Sequence, residues 1–161
     1  MTFQANNFSS LTFTNTDICC HIIWAEQAAI HITFSNQRHQ QAILWLHKKY
    51  PEIIHQPSMT AHPFCHRLEA YCSGRSQNII PGPIKSPFID HGTKFQQRVW
   101  GIIDKIPYGE TRTYSELAEE LGNRNFARAV GQACNRNPLA LIIPCHRVIS
   151  NSKLICILFE Q

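Results

Sequence analysis

A cysteine, a histidine and an arginine stand side by side at positions 145–147, directly after an apolar run that ends at Pro144. An ordinary cysteine thiol has a pKa of about 8.5, so only a small fraction is thiolate at pH 7. A neighbouring imidazole can take the thiol proton through a water, and a guanidinium can stabilise the anion. The segment therefore indicates a nucleophilic Cys145 with His146 as its base. Adjacent side chains of an extended chain point to opposite faces, so a buried cysteine beside an exposed histidine is the alternative.

Two further Cys-His pairs, Cys20–His21 and Cys65–His66, show how common this dipeptide is in the chain. We interpret both as core or surface residues, because no C-x-x-C or H-E-x-x-H spacing accompanies them. The sequence therefore predicts no metal site, with zinc binding at Cys19, Cys20 and His21 as the alternative. The seven cysteines are expected to be reduced thiols that mostly fill the core.

The composition is that of a folded globular protein. The 161 residues carry a formal net charge of +4, with 43% apolar and 16% charged residues. These values exclude a disordered chain, and the longest apolar runs are far shorter than the roughly 20 residues that cross a bilayer. The first ten residues lack the basic and apolar pattern of a secretory signal. We therefore expect a cytoplasmic protein, or a nuclear one in a eukaryote, with no membrane partner.

The basic residues are concentrated near the C-terminus. No aspartate or glutamate occurs between Glu120 and Glu160. Five cations lie in that stretch: Arg124, Arg128, Arg136, Arg147 and Lys153. Such a segment could meet a phosphate backbone, and the alternative is a solvated basic face.

The first part of the chain has the pattern of a small α/β lobe. Apolar β-branched runs predict strands at 18–24 and 29–34, and apolar periodicities predict helices at 37–50 and 63–72. Glycine and proline then cluster between residues 74 and 93, which predicts a linker or a long surface loop.

The second part of the chain is predicted to be helical. The spacing of Thr93 and Gln96, and of Thr113 and Glu116, matches a capping box that opens a helix. The first helix is predicted to end at 107–109, with a buried stripe of Phe95, Val99, Ile102, Ile103 and Ile106. Gly122 is a natural stop for the second helix. A short turn then leads to a third helix at 126–135, and two short helices joined by a glycine-containing turn are typical of a helix-turn-helix. We therefore expect an N-terminal lobe with linker at 1–87 and a DNA-binding domain at 88–161.

The third predicted helix has two unlike faces. Its apolar side contains Phe126, Ala129, Val130 and Ala133. Its opposite side is small or polar with one long cation, and contains Arg128, Gly131, Gln132 and Asn135. A helix that enters a DNA groove needs such a face, and an ordinary exposed face is the alternative.

Several spaced motifs of the second part resemble blocks of the O6-alkylguanine-DNA alkyltransferases, also called methylated-DNA–protein-cysteine methyltransferases. Pro-Cys-His-Arg-Val at 144–148 resembles the active-site signature of that family. The other similar blocks, in family order, are FQQRVW at 95–100, IPYGET at 106–111, TYSELA at 113–118, ARAVG at 127–131 and NRNP at 135–138. The resemblance is dense over residues 92–150 and only in outline before them. It implies an α+β fold, with a small α/β lobe before a helical, winged-helix-like DNA-binding lobe.

The resemblance implies a single-turnover repair reaction without a cofactor. The thiolate of Cys145 would attack the alkyl carbon on guanine O6, with O4-alkylthymine as a second candidate substrate. The thioether is not hydrolysed, so each molecule would act once. His146 would take the thiol proton through a bound water, and Asn137 would tie the recognition helix to the active-site loop.

The resemblance also implies a set of nucleic-acid contacts with an extruded nucleotide. Tyr114 would meet the flipped nucleotide and help to protonate guanine at N3, and Arg128 would enter the base stack and fill the gap. The implied DNA contacts are Thr113, Tyr114, Ala127, Arg128, Gly131 and Gln132. The implied substrate contacts are Val148, through its backbone carbonyl, Cys134 and Arg147. The implied partner is double-stranded DNA containing O6-alkylguanine, bound by a monomer.

The C-terminus departs from the family pattern. The family continues through a Gly-Tyr-Gly-Gly type loop into a last helix with a glutamate that orients the histidine, whereas here the match fades after about residue 154. Glu160 is the only nearby acid, and its context differs from that of the family glutamate. We therefore expect the pocket loop and last helix to be missing. Three hypotheses remain: an active alkyltransferase, an impaired relative that binds alkylated DNA without transfer, and a thiol-sensing helix-turn-helix regulator.

Overall fold

The computed structural model describes residues 7–14, 19–25, 28–57, 63–77, 79 and 86–151. The chain divides into two compact units, residues 1–88 and 89–161. A four-stranded sheet with helices forms the first unit, and helices with a two-stranded sheet form the second. The predicted α+β class is confirmed. Compact units are not the same as independently folding domains, so the predicted domain boundary between residues 87 and 88 stays a prediction.

The sheet of the first unit has the strand order β3-β2-β1-β4. Its strands are β1 (Asn7–Thr14), β2 (Cys19–Ala25), β3 (Ala28–Thr33) and β4 (Ile54–Pro57). Neighbouring strands are antiparallel, except that β4 runs parallel to β1. Strands β2 and β3 confirm the two predicted strands to within one residue, and the predicted turn at 26–27 lies outside the described residues. The short β4 was not predicted, because its pairing with β1 leaves no local pattern.

Two helices complete the first unit, α1 (Asn36–Lys49) and α2 (Pro63–Cys72). Both confirm predicted helices. Ser35 caps α1, since its hydroxyl accepts a hydrogen bond from the Arg38 backbone N–H. Apolar side chains of β1–β3, α1 and the following loop form one buried cluster, which contains Phe8, Ile23, Ala25, Ile30, Ala42, Leu46 and Ile53.

The predicted linker is partly folded onto the first unit. Ile79, Ser86 and Pro87 are buried, and Pro87–Asp90 forms the short helix α3. The Ser86 hydroxyl donates to the Ile30 carbonyl at the edge strand β3. These three residues therefore depart from the predicted linker or surface loop, whereas residues 73–75 and 77 are exposed, as such a loop implies. The proline-glycine cluster at 81–83 lies outside the described residues.

The second unit contains three helices and a short parallel strand pair. The helices are α4 (Lys94–Ile103), α5 (Tyr114–Glu120) and α6 (Ala127–Asn135), and the strands are β5 (Arg112–Thr113) and β6 (Val148–Ile149). Short 3₁₀ turns lie at Arg124–Phe126 and Cys145–Arg147. Helices α5 and α6, joined by the first of these turns, form the predicted helix-turn-helix.

Both predicted capping boxes are present. The Thr93 hydroxyl accepts from Gln96 N–H at 3.2 Å, and the Gln96 side chain accepts from Thr93 N–H at 2.9 Å. The Thr113 hydroxyl accepts from Glu116 N–H at 3.2 Å, and the Glu116 carboxylate accepts from Thr113 N–H at 2.6 Å. At the other end of α5, Gly122 has φ +102° and completes a Schellman motif. Local sequence signals therefore set both ends of α5.

Helix α4 packs against α6 through residues that the sequence identified only in part. Val99, Ile103 and Ile106 are buried as predicted, but α4 ends at Ile103 rather than at the predicted Pro107. Trp100 was not predicted to be buried, and its indole N–H donates to the Ala133 carbonyl at 2.9 Å. This bond ties α4 to the last turn of α6.

Among the described cysteines outside residues 134–145, Cys20 and Cys65 are buried, as expected of core thiols, whereas Cys72 is half-buried and Cys19 is exposed. None of the described cysteines forms a disulfide. Burial raises the pKa of the Cys20 thiol to about 12, and the neighbouring thiols of Cys65, Cys72 and Cys19 add to this shift. A thiol with so high a pKa is a poor nucleophile. In the part of the chain that the structure describes, no helix is long and apolar enough to span a membrane.

Candidate functional site

The parallel pair β5–β6 attaches the Cys145 segment to the start of α5. Arg112 lies opposite Val148, and Thr113 lies opposite Ile149. Thr113 is also the N-cap of α5, so Tyr114, the first residue of that helix, comes next to the chain that leaves Cys145. Two strand residues therefore bring together segments that are more than thirty positions apart in the sequence.

Cys145 lies in a tight backbone turn. Pro144 has φ −79° and ψ 63°, the conformation of an inverse γ-turn, and the Cys145 N–H donates to the Ile143 carbonyl at 2.8 Å. Cys145–Arg147 then forms a 3₁₀ turn. The expectation of an extended chain at this point is therefore wrong. Cys145 is 1% exposed and His146 is half-buried.

Asn137 connects the end of α6 to this turn. Its Nδ2 donates to the Ile143 carbonyl at 2.8 Å and to Cys145 Sγ at 3.2 Å. Its Oδ1 accepts from the Leu139 N–H at 3.0 Å. Hydrogen-bond donation to sulfur favours the thiolate over the thiol. The predicted hinge position of Asn137 thus has a contact with the predicted nucleophile.

The loop between Asn137 and Cys145 is strained at one residue. Leu141 has φ +71°, in the left-handed region that a non-glycine residue adopts at a cost of about 1–3 kcal/mol. Leu141 is nevertheless buried, and the Ile143 N–H donates to the Leu139 carbonyl at 2.9 Å across it. Burial and these hydrogen bonds hold the loop in one conformation and so hold the thiol in place.

His146 is neutral at physiological pH. Burial, with a smaller contribution from the adjacent Arg147 guanidinium, lowers the pKa of its imidazole to about 4. A neutral imidazole has a free lone pair and can accept a proton. The burial of His146 therefore keeps it in the form that a base requires.

An open groove of about 760 Å³ lies along the exposed face of α6. It is bordered by the start of α5, by α6 and by the residues after β6. Its lining residues are Tyr114, Ser115, Ala127, Arg128, Gly131, Gln132, Asn135, Ser150 and Asn151. A Cβ atom at Gly131 would lie 3.8 Å from the Tyr114 ring, which is an ordinary contact. The groove lining is polar or small and contains no carboxylate.

The structure brings most of the predicted DNA-binding residues into this groove. Tyr114, Ala127, Arg128, Gly131 and Gln132 all line it. The sixth predicted DNA-binding residue, Thr113, is the N-cap that directly precedes Tyr114 and does not itself line the groove. The predicted nucleophile Cys145 and its partner Asn137 are also outside the lining. The roles of all these residues stay predictions.

Two of the three predicted substrate-binding side chains are used inside the protein. Arg147 Nη1 donates to the Ile106 carbonyl at 2.6 Å, and its guanidinium lies 5.5 Å from the centre of the Tyr108 ring. Cys134 is 3% exposed, in the core of the second unit. Both side chains therefore have contacts within the protein, and their substrate contacts stay predictions. Val148 lies in β6 directly after the 3₁₀ turn, and its substrate contact stays a prediction.

The groove contains residues that sequence reasoning missed. Ser150 and Asn151 line it from the segment after β6, and Ser115 lines it from α5. Helical periodicity identified Asn135 on the exposed face, but no local signal marks Ser150 or Asn151. Only the β5–β6 pairing places them opposite α6. Among the described residues, no group of three or more histidine, cysteine or acidic side chains could hold a metal ion.

Comparison with known proteins gives this geometry a context. Residues 94–157 match the family model of the 6-O-methylguanine DNA methyltransferase, DNA binding domain. A methylated-DNA–protein-cysteine methyltransferase of Methanosarcina acetivorans is 51% identical over 91 residues, which are 55% of this chain and 54% of that protein. The chain thus spans about half the length of this curated relative.

Solved structures extend the similarity to both units. The crystal structure of Mycobacterium tuberculosis O6-methylguanine methyltransferase is 30% identical, with a TM-score of 0.70, over 91% of this chain and 80% of that one. A structure of M. tuberculosis OGT in complex with DNA is 29% identical, with a TM-score of 0.69, over 92% and 82% of the two chains. The identity and the coverage together show that this chain belongs to the O6-methylguanine-DNA methyltransferase family.

Proposed function

We propose that this protein repairs DNA by transferring the alkyl group of O6-alkylguanine to the sulfur of its own Cys145. The observation that carries the proposal is the Asn137 carboxamide, which joins the recognition helix α6 to Cys145 Sγ at 3.2 Å. Family membership supports the reaction class, and the M. tuberculosis relative solved in complex with DNA supports duplex DNA as the partner. Action as a monomer and a cytoplasmic location stay predictions.

The proposed transfer is a displacement at carbon. A bond forms between Cys145 Sγ and the alkyl carbon while the bond between that carbon and guanine O6 breaks. The electron pair of the broken bond passes to the guanine. The thiol proton goes to His146 through a water, and Tyr114 helps to deliver a proton to guanine N3. The products are an S-alkylcysteine and an unmodified guanine, with no oxidant, reductant or cofactor required.

The burial of Cys145 fits a base that leaves the duplex. The thiol is 1% exposed, so a base stacked inside DNA could not reach it from the surface. An extruded nucleotide can enter a protein pocket at a cost of a few kcal/mol for unstacking. Arg128 lines the groove and is exposed, where its side chain could occupy the gap that the extruded nucleotide leaves. The positions of the thiol and of the cation thus support base flipping.

Intact-protein mass spectrometry tests the proposal directly. The full chain is incubated with a duplex that contains one O6-methylguanine. We expect a stoichiometric gain of one methyl group, which Cys145→Ala abolishes and Cys20→Ala leaves unchanged, because the Cys20 thiol is buried with a raised pKa. Tight binding of the lesion without a mass gain would instead identify an impaired binding protein. If undamaged DNA is bound as tightly as the lesion duplex, and one operator sequence is preferred over others, the protein would be identified as a regulator.

A further inference from the structure

The cations of the second unit fall into two groups, according to whether a carboxylate neutralises them. Arg112 lies 3.2 Å from the Glu120 carboxylate and 3.9 Å from that of Glu116. Arg124 lies 3.3 Å from the Glu119 carboxylate. The acid-free stretch that follows Glu120 in the sequence is thus not uniformly positive in space, because its first cation is paired with an acid from α5.

The acidic side chains of α5 lie on its outward surface. The three carboxylates, on Glu116, Glu119 and Glu120, are about half exposed, and the guanidinium groups of Arg112 and Arg124 are paired with them. A DNA phosphate brought to this surface would meet these carboxylates and would compete with them for each guanidinium. That competition disfavours a docking geometry in which the duplex lies across α5.

Helix α6 and the residue after it have the opposite character. Residues 127–136 contain no acid, and Arg128 and Arg136 are both exposed. Neither guanidinium has a carboxylate partner among the described residues. Their charges are therefore available to a ligand.

The other described cations of this unit are placed differently. Arg147 and Arg98 donate to the backbone carbonyls of Ile106 and Leu121. Lys94 begins α4 and Lys105 follows it, and α4 packs against the buried side of α6, as the bond from Trp100 to the Ala133 carbonyl shows. Among the described cations of this unit, Arg128 and Arg136 are thus the two that lie on α6 and its C-cap and have no carboxylate partner.

We infer that Arg136 is a phosphate-binding residue, and that the DNA backbone follows α6 from Arg128 past its C-cap and away from the acidic surface of α5. Eight residues of helix separate the two guanidinium-bearing positions by about 12 Å along the axis. Neighbouring phosphates of one strand rise about 3.4 Å along the duplex axis and lie farther apart along the backbone itself, so a separation of about 12 Å still spans more than one phosphate. The two cations can therefore bind different phosphates of the same strand. The inference rests on the proposed DNA-repair function and adds an orientation to it.

The backbone of Arg136 has a separate role, which makes its side chain a clean target. The Arg136 N–H donates to the Gln132 and Ala133 carbonyls at the C-cap of α6. Replacing the side chain by glutamine keeps this N–H and the polar surface while it removes the charge. We therefore expect Arg136→Gln to fold like the wild type. Arg124→Gln is the matched control, since it removes another exposed arginine, one that is paired with Glu119.

The experiment measures binding of an undamaged duplex to the full chain at a series of salt concentrations. Each phosphate contact contributes about 0.9 to the slope of log affinity against log salt. We expect Arg136→Gln to lower the slope by about that amount. Between about 50 and 200 mM salt, the fold-loss of affinity should then be about threefold smaller for Arg136→Gln than for the wild type. Arg124→Gln should leave the slope unchanged.

Two results would overturn the inference. One is an Arg136→Gln slope equal to that of the wild type. The other is an equal drop in slope for Arg124→Gln, which would place the DNA backbone on the α5 side. The methyl-transfer mass assay separates these results from failure of the proposed function. If the wild type gains a methyl group and binds DNA while either result is found, the docking inference alone is wrong.

Discussion

The Asn137 carboxamide nitrogen lies 2.8 Å from the Ile143 carbonyl oxygen and 3.2 Å from Cys145 Sγ. One side chain at the end of the recognition helix thus binds both the backbone of the Cys145 loop and its thiol. In the DNA complex that we propose, a shift of α6 would be transmitted to Cys145 through this residue. A single hydrogen-bonding group thus connects the segment after α6 with the sulfur.

Replacing Asn137 by alanine should slow the reaction of the Cys145 thiol even with a small substrate. The change leaves the Leu139 N–H without its partner and the Ile143 carbonyl with the Cys145 N–H alone, at a cost of about 1–3 kcal/mol in the free energy of unfolding. It also removes the donor that favours the thiolate, so the profile of rate against pH with free O6-benzylguanine should move to higher pH. Asn135→Ala, at an exposed position two residues earlier, is the control. An unchanged pH profile in Asn137→Ala would show that the contact with Sγ has no chemical role.

Replacing Gly131 by alanine should separate folding from DNA binding. Alanine in a helix interior is more stable than glycine by about 0.5–1 kcal/mol, and the new Cβ would make only an ordinary contact with Tyr114, at 3.8 Å. The added methyl group would nevertheless protrude into the groove that we propose DNA enters. Methyl transfer from a duplex should therefore slow, while the reaction with free O6-benzylguanine is unchanged.

Gly101 supplies the matched control for that substitution. It is an exposed glycine of α4, and nothing lies within 4 Å of a Cβ placed on it. Gly101→Ala should stabilise the protein by a similar amount and leave both reactions unaffected. If Gly131→Ala and Gly101→Ala react with duplex DNA at the same rate, the face of α6 does not approach the nucleic acid closely.

The two capping boxes provide a second matched pair. Thr93→Ala and Thr113→Ala each remove an N-cap hydroxyl, which costs about 1 kcal/mol in the free energy of unfolding. Only Thr113 precedes Tyr114 and pairs in β5–β6 with the segment after Cys145. Duplex repair, followed by the rate of methyl transfer, should slow in Thr113→Ala alone. Equal slowing in both variants would mean that the cap acts through general stability.

The first unit should lose stability in acid because of a buried histidine. Burial lowers the pKa of His31 to about 3, and the nearby His39 and Arg38 add to the effect. Between pH 6.5 and this value, the unfolded chain binds a proton that the native unit does not bind. His31 alone should therefore lower the free energy of unfolding by about 1.4 kcal/mol per pH unit below about pH 6.5. The pKa of His39, lowered by burial to about 4, adds a loss of the same sign over that range.

Urea unfolding, followed by the NMR signals of β2 and β3 between pH 7 and pH 4, measures this slope. His31→Asn should reduce the slope, whatever its effect at pH 7. Phe88→Leu alters the aromatic ring that lies 4.9 Å from the His31 ring and keeps the imidazole. It should lower stability about equally at every pH. A slope in His31→Asn as steep as that of the wild type would assign the acid sensitivity to other groups.

Sequence signals that act within one or two turns predicted much of the second unit correctly. The capping boxes at Thr93 and Thr113, the helix stop at Gly122 and the two faces of α6 all depend on neighbours three or four residues apart. Their hydrogen bonds and side-chain directions follow from helix geometry alone. The end of α4 was misplaced, because no comparable signal marks Ile103.

The sequence by itself predicted the candidate nucleophilic segment, the helix-turn-helix and the family resemblance. Only the tertiary structure decided that Asn137 donates to Cys145 Sγ and that Arg147 donates to the Ile106 carbonyl. It also decided that Arg124 forms an ion pair with Glu119. It also decided the parallel pairings of β1 with β4 and of β5 with β6. Each of these contacts depends on how whole elements pack in space, and a side chain's available partners leave no trace in its local spacing. The residues that could carry out chemistry were therefore predictable from the sequence. The sequence did not show which of their charges and hydrogen-bond donors remain available to the proposed DNA ligand.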